Sequence, residues 1–485
     1  MRGLLGLLAT ASLCANAAVI QGVVLDDESG SPLARTLVTL QPLAGQDILQ
    51  ATVRAREHGE FSFNHVRPGW YLVRTSRRGF LPAESGQKRA GRPGVPFGID
   101  SPEGSQFVQI RMYRLSAISG TVLDENGVGL PDVTVHVFTV KPVRHVGQGS
   151  TDDHGRFRVD GLKPGTYVVH TGATVLEDQT PLVPTWFKGG TMLAEAEPIH
   201  LPTGESFSDV VIRPSKGNVY TIRGNLLKYT PGPVQLTLIT DMGRRIIATK
   251  TGPFMADNIP PGEVELVAEA DDCGAYESVS MQKNMFVQVV CSPLQPLNVV
   301  WTVKGMTGPS TPRYPLIARR IDIDGTGPER ELKPNDALLP GMWEIRAMTG
   351  PEHYVESMAG LYSSSQSIRS DDWFAVRLGT MLRVTLSAAP ASVRGIVSTN
   401  GNPIAGAPVF LEWRNPRLRE SELRLFGTRS DTRGNYSFYG LVPGEYRLLS
   451  SFDFDPEDAA EMNRALSFAL SEGEAKTQAL EAEIP

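Results

Sequence analysis

TDDHGRFRVDGLKPGTYVV, residues 151–169, decides how this chain is read. Taken alone it looks like chemistry. Asp152 and Asp153 precede His154, and Gly155, Gly161 and Gly165 suggest a loop around an acid–base or metal cluster. The chain carries its own comparison, because the stretch recurs. TRSDTRGNYSFYGLVPGEYRLL (428–449) repeats Gly155 as Gly434, Phe157 as Tyr436, Leu162 as Leu441, and ends in Pro443-Gly444-x-Tyr446. EHGEFSFNHVRPGWYLV (57–73) gives Gly59, Phe61, Val66 and Pro68-Gly69-x-Tyr71. TGPFMADNIPPGEVELV (251–267) keeps Gly252, Phe254, Ile259 and Pro261-Gly262, and LLPGMWEI (338–345) puts Trp343 where the tyrosine stood.

The copies test each residue. The place of His154 is His58, Arg433 or Thr251 elsewhere, and Asp153 becomes Thr432, while Asp152 persists as Asp431. A reaction centre cannot exchange its base for arginine, whereas a turn can. What recurs has a backbone or core reason: Gly155 suits a left-handed turn position, Asp152 can bond turn amides, and Phe157, Val159, Leu162 and Tyr167 form an apolar face.

A second landmark opens most copies: Ile20-Gln-Gly22, Ile118-Ser-Gly120, Ile222-Arg-Gly224 and Val393-Arg-Gly395. Each lies in a short alternating run, the pattern of a strand with one buried face. Asn126-Gly127 and Asn400-Gly401 supply the positive φ of tight turns, and further alternating runs follow at Val133/Val135/Val137, Leu33/Val38/Leu40 and Ile404/Val409/Leu411. The repeat is about 95 residues long, the size of a small β-sandwich. The expected fold is all-β: a tandem array of about five Ig-like or prealbumin-like sandwiches at 18–115, 116–214, 215–304, 305–388 and 389–485. VVWTVKGM (299–306) either closes the third unit or opens the fourth. One short helix is expected over Pro456–Ala469, from the stripe Met462, Leu466 and Leu470.

Length excludes a single compact core, since 485 residues ask for several domains. A net charge of −6 without long runs of one sign gives no basic surface for nucleic acid. Residues 1–17 read as a signal peptide, with Arg2, the apolar run Leu4–Leu13 and the small residues Ala15 and Ala17. Leu13 before Cys14 argues against lipidation. No later stretch is long and apolar enough to span a bilayer, so the expected location is exported: periplasmic, outer-surface or secreted. In that oxidising setting Cys273 and Cys291 are read as a disulfide, the alternative being two buried thiols.

The run "isGtVlDenGvgLpdvtV … tDdhGrFrvdgLkPGtYvv" resembles the carboxypeptidase regulatory-like domain, a transthyretin-like (prealbumin-like) sandwich related to the B-type repeats of bacterial collagen adhesins. The resemblance is strong for units two and five, good for unit one and weak for three and four. GFLPAESGQKRAGRPG (79–94), TWFKGGTMLAEAEPIHLPTGES (185–206) and FDPEDAAEMNRAL…LSEGEAKTQALEAEI (454–484) are similar to segments of multi-domain secreted proteins of this type common in Acidobacteria. The resemblance implies a fold and export but no reaction. The adhesin repeats also carry Lys–Asn isopeptide locks; only unit three has candidates, at Lys228, Glu265 and Asn298, and an ordinary solvated lysine is the simpler account.

The remaining signals are few. There is no zinc-protease, serine-hydrolase or phosphate-loop motif, and the eight histidines show no ligand spacing. Asp322, Asp324 and Glu329 in DIDGTGPE suggest a calcium loop, but a third acidic position and the distal glutamate are missing, so a polar turn is expected. Trp70, Trp186, Phe187 and Trp413 are candidate sugar-stacking aromatics, with core or interdomain packing as the competing explanation. QKRAGR (87–92) is read as a solvated loop, the alternative being a site for an anionic partner. No catalytic residue, cofactor or metal is assigned. The expected function is a non-catalytic, monomeric, exported scaffold, an extended presenter of loops engaging an envelope protein or polysaccharide. The second reading is a carbohydrate-binding accessory protein.

Overall fold

The computed structural model describes residues 18–483 except 141–142, 177, 241–242, 306–310, 324, 334–335, 361–367, 371–372, 379–380, 415–423 and 456–458. The expected signal peptide, Asp324 and the start of the expected helix lie outside those residues. The chain is nearly all strand, arranged as successive β-sandwich units, each with its own apolar core. Among the described residues no helix is long and apolar enough to cross a membrane.

Four units share one plan. The first strand of each runs antiparallel to the strand holding the Gly-x-Phe motif and parallel to the unit's last strand. In unit one Ala18–Asp26 lies between Glu60–Val66 and Ser105–Met112. In unit two Ser116–Val122 lies between Arg156–Leu162 and Ser206–Ile212. Tyr220–Lys228 in unit three lies between Gly252–Ile259 and Met285–Pro293, and Ala391–Thr399 in unit five between Asn435–Leu441 and the short strands Ala475–Thr477 and Leu480–Glu481. A second sheet, such as Thr134–Val140 with Val143–Ser150 and Gly165–Thr171 in unit two, packs against the first across the core. Unit three departs by joining its two sheets through Cys273–Met281, which pairs with both Gly262–Glu269 and Met285–Pro293.

Three side-chain devices hold this plan. The landmark glycine faces an aromatic directly across the ladder: Gly22 faces Phe61, Gly120 Phe157, Gly224 Phe254 and Gly395 Tyr436. A Cβ at these glycines would fall 2.0, 1.9, 1.9 and 1.6 Å from the carbonyl oxygens of Val108, Val210 and Val287 on the neighbouring strand and of Gln478 between unit five's two short last strands. Only glycine admits that backbone. Next, a bulge interrupts the same ladder just before Val66, Leu162, Ile259 and Leu441. The extra residue has positive φ at His65, Gly161, Asn258 and Gly440, and it returns the following apolar side chain to the core. Finally, the tyrosine of Pro-Gly-x-Tyr donates its hydroxyl to the carbonyl four residues earlier: Tyr71 to Arg67, Tyr167 to Lys163 and Tyr446 to Val442, at 2.7, 2.7 and 2.6 Å. Trp343 repeats the bond through its indole nitrogen, donating to Leu339 at 3.0 Å. The ring fills the core and its polar tip keeps a partner.

Two expectations need correction. Asn298–Val303 pairs in parallel with Met381–Ser387, and Val303 belongs to the core containing Trp343 and Leu386. Of the stretch VVWTVKGM, the described residues up to Val303 therefore pair and pack with the fourth unit, not the third. The helix over Pro456–Ala469 shrinks to a 3-10 segment, Ala459–Arg464, followed by a strand, Leu466–Leu470, on the edge of unit five's second sheet. Leu466 and Phe468 point away from full burial while Leu470 is buried, so the apolar stripe belongs to a strand that follows a turn.

Cys273 and Cys291 are bridged, with Cα atoms 5.4 Å apart and both residues in the core of unit three. The bridge closes a segment of 18 residues. Replacing both cysteines by serine is expected to lower unfolding free energy by about 2–4 kcal/mol, read as an earlier urea midpoint for unit three. Gly395→Ala, which drives a methyl group into the Gln478 carbonyl, is expected to cost about 3 kcal/mol and to lower the melting temperature of unit five.

Candidate functional site

The stretch that looked catalytic is a turn. Asp152 Oδ1 accepts the backbone amides of His154 and Arg156 at 2.9 and 2.8 Å, and Asp431 Oδ1 accepts those of Arg433 and Asn435, both at 2.8 Å. Those amide bonds hold the Asp152 carboxyl below its ordinary range, the Arg156 amide contributing most. Gly155 sits at φ 73° and Gly434 at φ 81°, the left-handed position that closes each turn. Asp153 and His154 point to solvent.

The four aromatic candidates are dispersed. Phe187 and Trp413 lie inside the cores of units two and five, and Trp186 is buried in a separate cluster with Phe138 and Val168. None of these three offers a flat face to solvent. Trp70 is 37% exposed and lies near Gly98, its amide and carbonyl both bonded by the Gln46 side chain.

Around Trp186 the fold collects three histidines that sequence spacing did not link. His136 and His170 face each other across the ladder between Thr134–Val140 and Gly165–Thr171, and His145 comes from the adjoining strand. His136 Nδ1 is 3.3 Å from His145 Nε2, and His170 Nδ1 donates to the Thr171 carbonyl at 2.8 Å. The His170 ring meets Trp186 edge-on at 4.3 Å and stacks on Phe138 at 5.1 Å. Burial, aided by His170 and His145, pushes the His136 imidazole down to about 3. Burial also pushes His170 down to about 4, against the pull of its bond to Thr171. The positions 136, 145 and 170 converge only through a cross-strand register, which no local spacing encodes. Among the described residues no group of three or more His, Cys, Asp or Glu is arranged to hold a metal ion.

The other candidate ligand sets are spent on structure. Asp322 is buried and pairs with Arg320 at 2.6 Å and Arg244 at 3.4 Å, which removes it from any calcium loop. Lys228 pairs with Asp272 at 2.7 Å, Glu265 accepts from Tyr276 Oη and the Ile323 amide, and Asn298 lies in unit four, so the isopeptide triad is not assembled.

Concave surface lies between units. A cavity of about 470 Å³ at the junction of units four and five is lined by Tyr354, Phe374, Phe426, Tyr439 and Tyr446 with no charged side chain. A second, of about 660 Å³, lies between units one and five, beside Arg74, Glu84, Arg92, Phe410 and Arg429. This second cavity corrects two expectations. The array is not extended, because its first and last units touch. The 87–92 loop is not simply solvated either: Arg92 pairs with Asp455 at 3.0 Å and lies within 3.9 Å of Asp453 and Glu461. The anionic partner is the chain's own last unit.

A pH dependence follows from the histidine cluster. Above the ordinary histidine value of 6.5, His136 and His170 are neutral whether the chain is folded or unfolded, and neither affects stability. As pH falls through that value the unfolded chain gains protons that the folded chain refuses, so stability declines until the buried imidazoles also protonate. Denaturant midpoints measured between about pH 7 and pH 4 should fall steadily, and His136→Gln/His170→Gln should flatten the slope.

Comparison with known proteins adds a family. No curated protein matches the chain. Among solved structures, the minor pilin GBS52 of Streptococcus agalactiae is 13% identical, with 42% of this chain and 97% of that one covered at a TM-score of 0.26. The shaft pilin SpaA of Lactobacillus rhamnosus GG is 11% identical, with 41% and 97% covered at 0.24. The TIE protein of Bacillus anthracis is 10% identical, with 92% and 68% covered at 0.17. Likenesses of this size carry no functional argument. The family comparison is firmer: residues 19–95 and 117–185 match the carboxypeptidase regulatory-like domain. These spans hold the Gly–aromatic pair, the bulge and the tyrosine bond of units one and two, which are similar to carboxypeptidase regulatory-like domains.

Proposed function

We propose that the chain is a non-catalytic scaffold of exported type, which holds loops in fixed relation and engages an envelope protein or polysaccharide. The observation that carries this reading is how the repeated motif spends its polar groups. Asp152, Asp431, Tyr167 and Tyr446 bond the local backbone, and His154 stands alone in solvent. The candidate ligand sets are likewise spent on ion pairs and core contacts. Export by cleavage of residues 1–17 and unit borders near 115/116, 214/215 and 388/389 belong to the same reading.

The uncharged aromatic cavity between units four and five supports the second reading, a carbohydrate-binding accessory role. Tyrosine and phenylalanine faces without charge suit the apolar face of a neutral sugar. One experiment separates the two. The full chain is presented to immobilised envelope proteins and to a neutral and acidic glycan array. The scaffold reading expects retention by a protein, unchanged in Tyr439→Ala. The sugar reading expects neutral-glycan binding weakened about tenfold by Tyr439→Ala. Turnover of peptide or glycoside libraries by the purified chain would overturn both.

A further inference from the structure

The first and last units meet through a surface built from both. Arg429, on the strand Arg424–Arg429 of unit five, donates to Glu84 Oε2 at 2.6 Å and to the Gly94 carbonyl at 3.0 Å. Glu84 is fixed in turn by Arg74 and the Gly94 amide. Val95 leaves unit one to pack against the core of unit five. Gly406, at φ 67°, brings its backbone so close that a Cβ there would lie 2.5 Å from Pro96 and 2.8 Å from Leu43. Arg89 and Arg92 face Asp453, Asp455 and Glu461 along one side.

The attachment of unit one to its sequence neighbour is different. Among the described residues no hydrogen bond or ion pair joins 18–115 to 116–214; the Leu115 amide bonds back to Gly79 within unit one. By contrast, Lys216 pairs with Glu125 at the next junction, Glu265 accepts the Ile323 amide at the third, and Ser387 donates to Glu472 at the fourth. Among the described residues, the hydrogen bonds and ion pairs that leave unit one therefore run to unit five and not to its covalent neighbour across Leu115–Ser116.

We infer that unit one is exchangeable: swung about Leu115–Ser116, it makes the same contact with unit five of a second copy, giving a domain-swapped dimer. The interface is heterologous, a 42–46 and 84–96 patch against 406–410, 427–431, Asp453, Asp455 and Glu461, so unit one of any copy fits unit five of any other. Its charges are complementary, cationic from Arg89 and Arg92 and anionic from Asp453, Asp455 and Glu461. Much of it is polar, so the two faces can separate in water and meet again.

Charge swapping tests this with full-length chains. One variant carries Arg89→Glu and Arg92→Glu; the other carries Asp453→Lys and Asp455→Lys. Each alone sets like charges against each other within its own chain, while in a mixture both contacts are attractive only between chains. Light scattering at low salt should find each variant alone monomeric, with a larger radius of gyration than the parent. The equimolar mixture should have twice the monomer mass, and this heterodimer should dissociate in about 1 M salt. A single chain with all four substitutions should be compact and monomeric, which checks that the altered units fold. A monomeric mixture, single-face variants as compact as the parent, or an expanded fourfold variant would each overturn the inference.

Discussion

The fold rests on one crowded crossing, where the first strand of a unit passes between an aromatic ring and a neighbouring carbonyl. At Gly395 the ring is Tyr436 and the carbonyl belongs to Gln478; at Gly22 they are Phe61 and Val108. A side chain at that point would separate the first strand from its parallel partner. The glycine leaves the ladder continuous, and the ring covers the backbone the glycine leaves bare. From there the first strand orders both neighbours, and the bulge directs the next apolar residue into the core. Unit four has no such glycine in Asn298–Val303, and among the described residues that strand pairs with Met381–Ser387 alone.

Much of this was legible because a repeated chain separates what varies from what persists. Gly155, Phe157, Leu162 and Tyr167 recur for reasons of φ, ring packing and a back-donated hydroxyl, and each reason is local enough to leave a mark in sequence. Trp343 shows that the rule is physical, since an indole donor replaces a phenol without changing the bond. The regulatory-like resemblance drew on the same residues.

What escaped was set by register and by long-range contact. His136, His145 and His170 meet only because three strands align at one level, and single-strand periodicity cannot report an alignment between strands. The destination of Asn298 was ambiguous because its parallel partner, Met381, lies 83 residues away, beyond any local turn signal. The charged 87–92 loop read as solvated for a similar reason: its counter-charges, Asp453, Asp455 and Glu461, lie in unit five, far away in sequence. Buried aromatics such as Trp413 resisted assignment because tryptophan suits a core and a binding face equally.

The contact between Glu84 and Arg429 also places the chain in time. Residues 345 positions apart must both exist before it can form. Unit one is made before unit five and can fold on its own core, while Glu84 waits for Arg429 with only its partners inside unit one. Closing so long a loop costs little more than closing a short one, because the entropy rises only with the logarithm of length. Unit five can thus dock on unit one only after everything between them has been made, so a segment made earlier must wait for a later one to find its full set of neighbours.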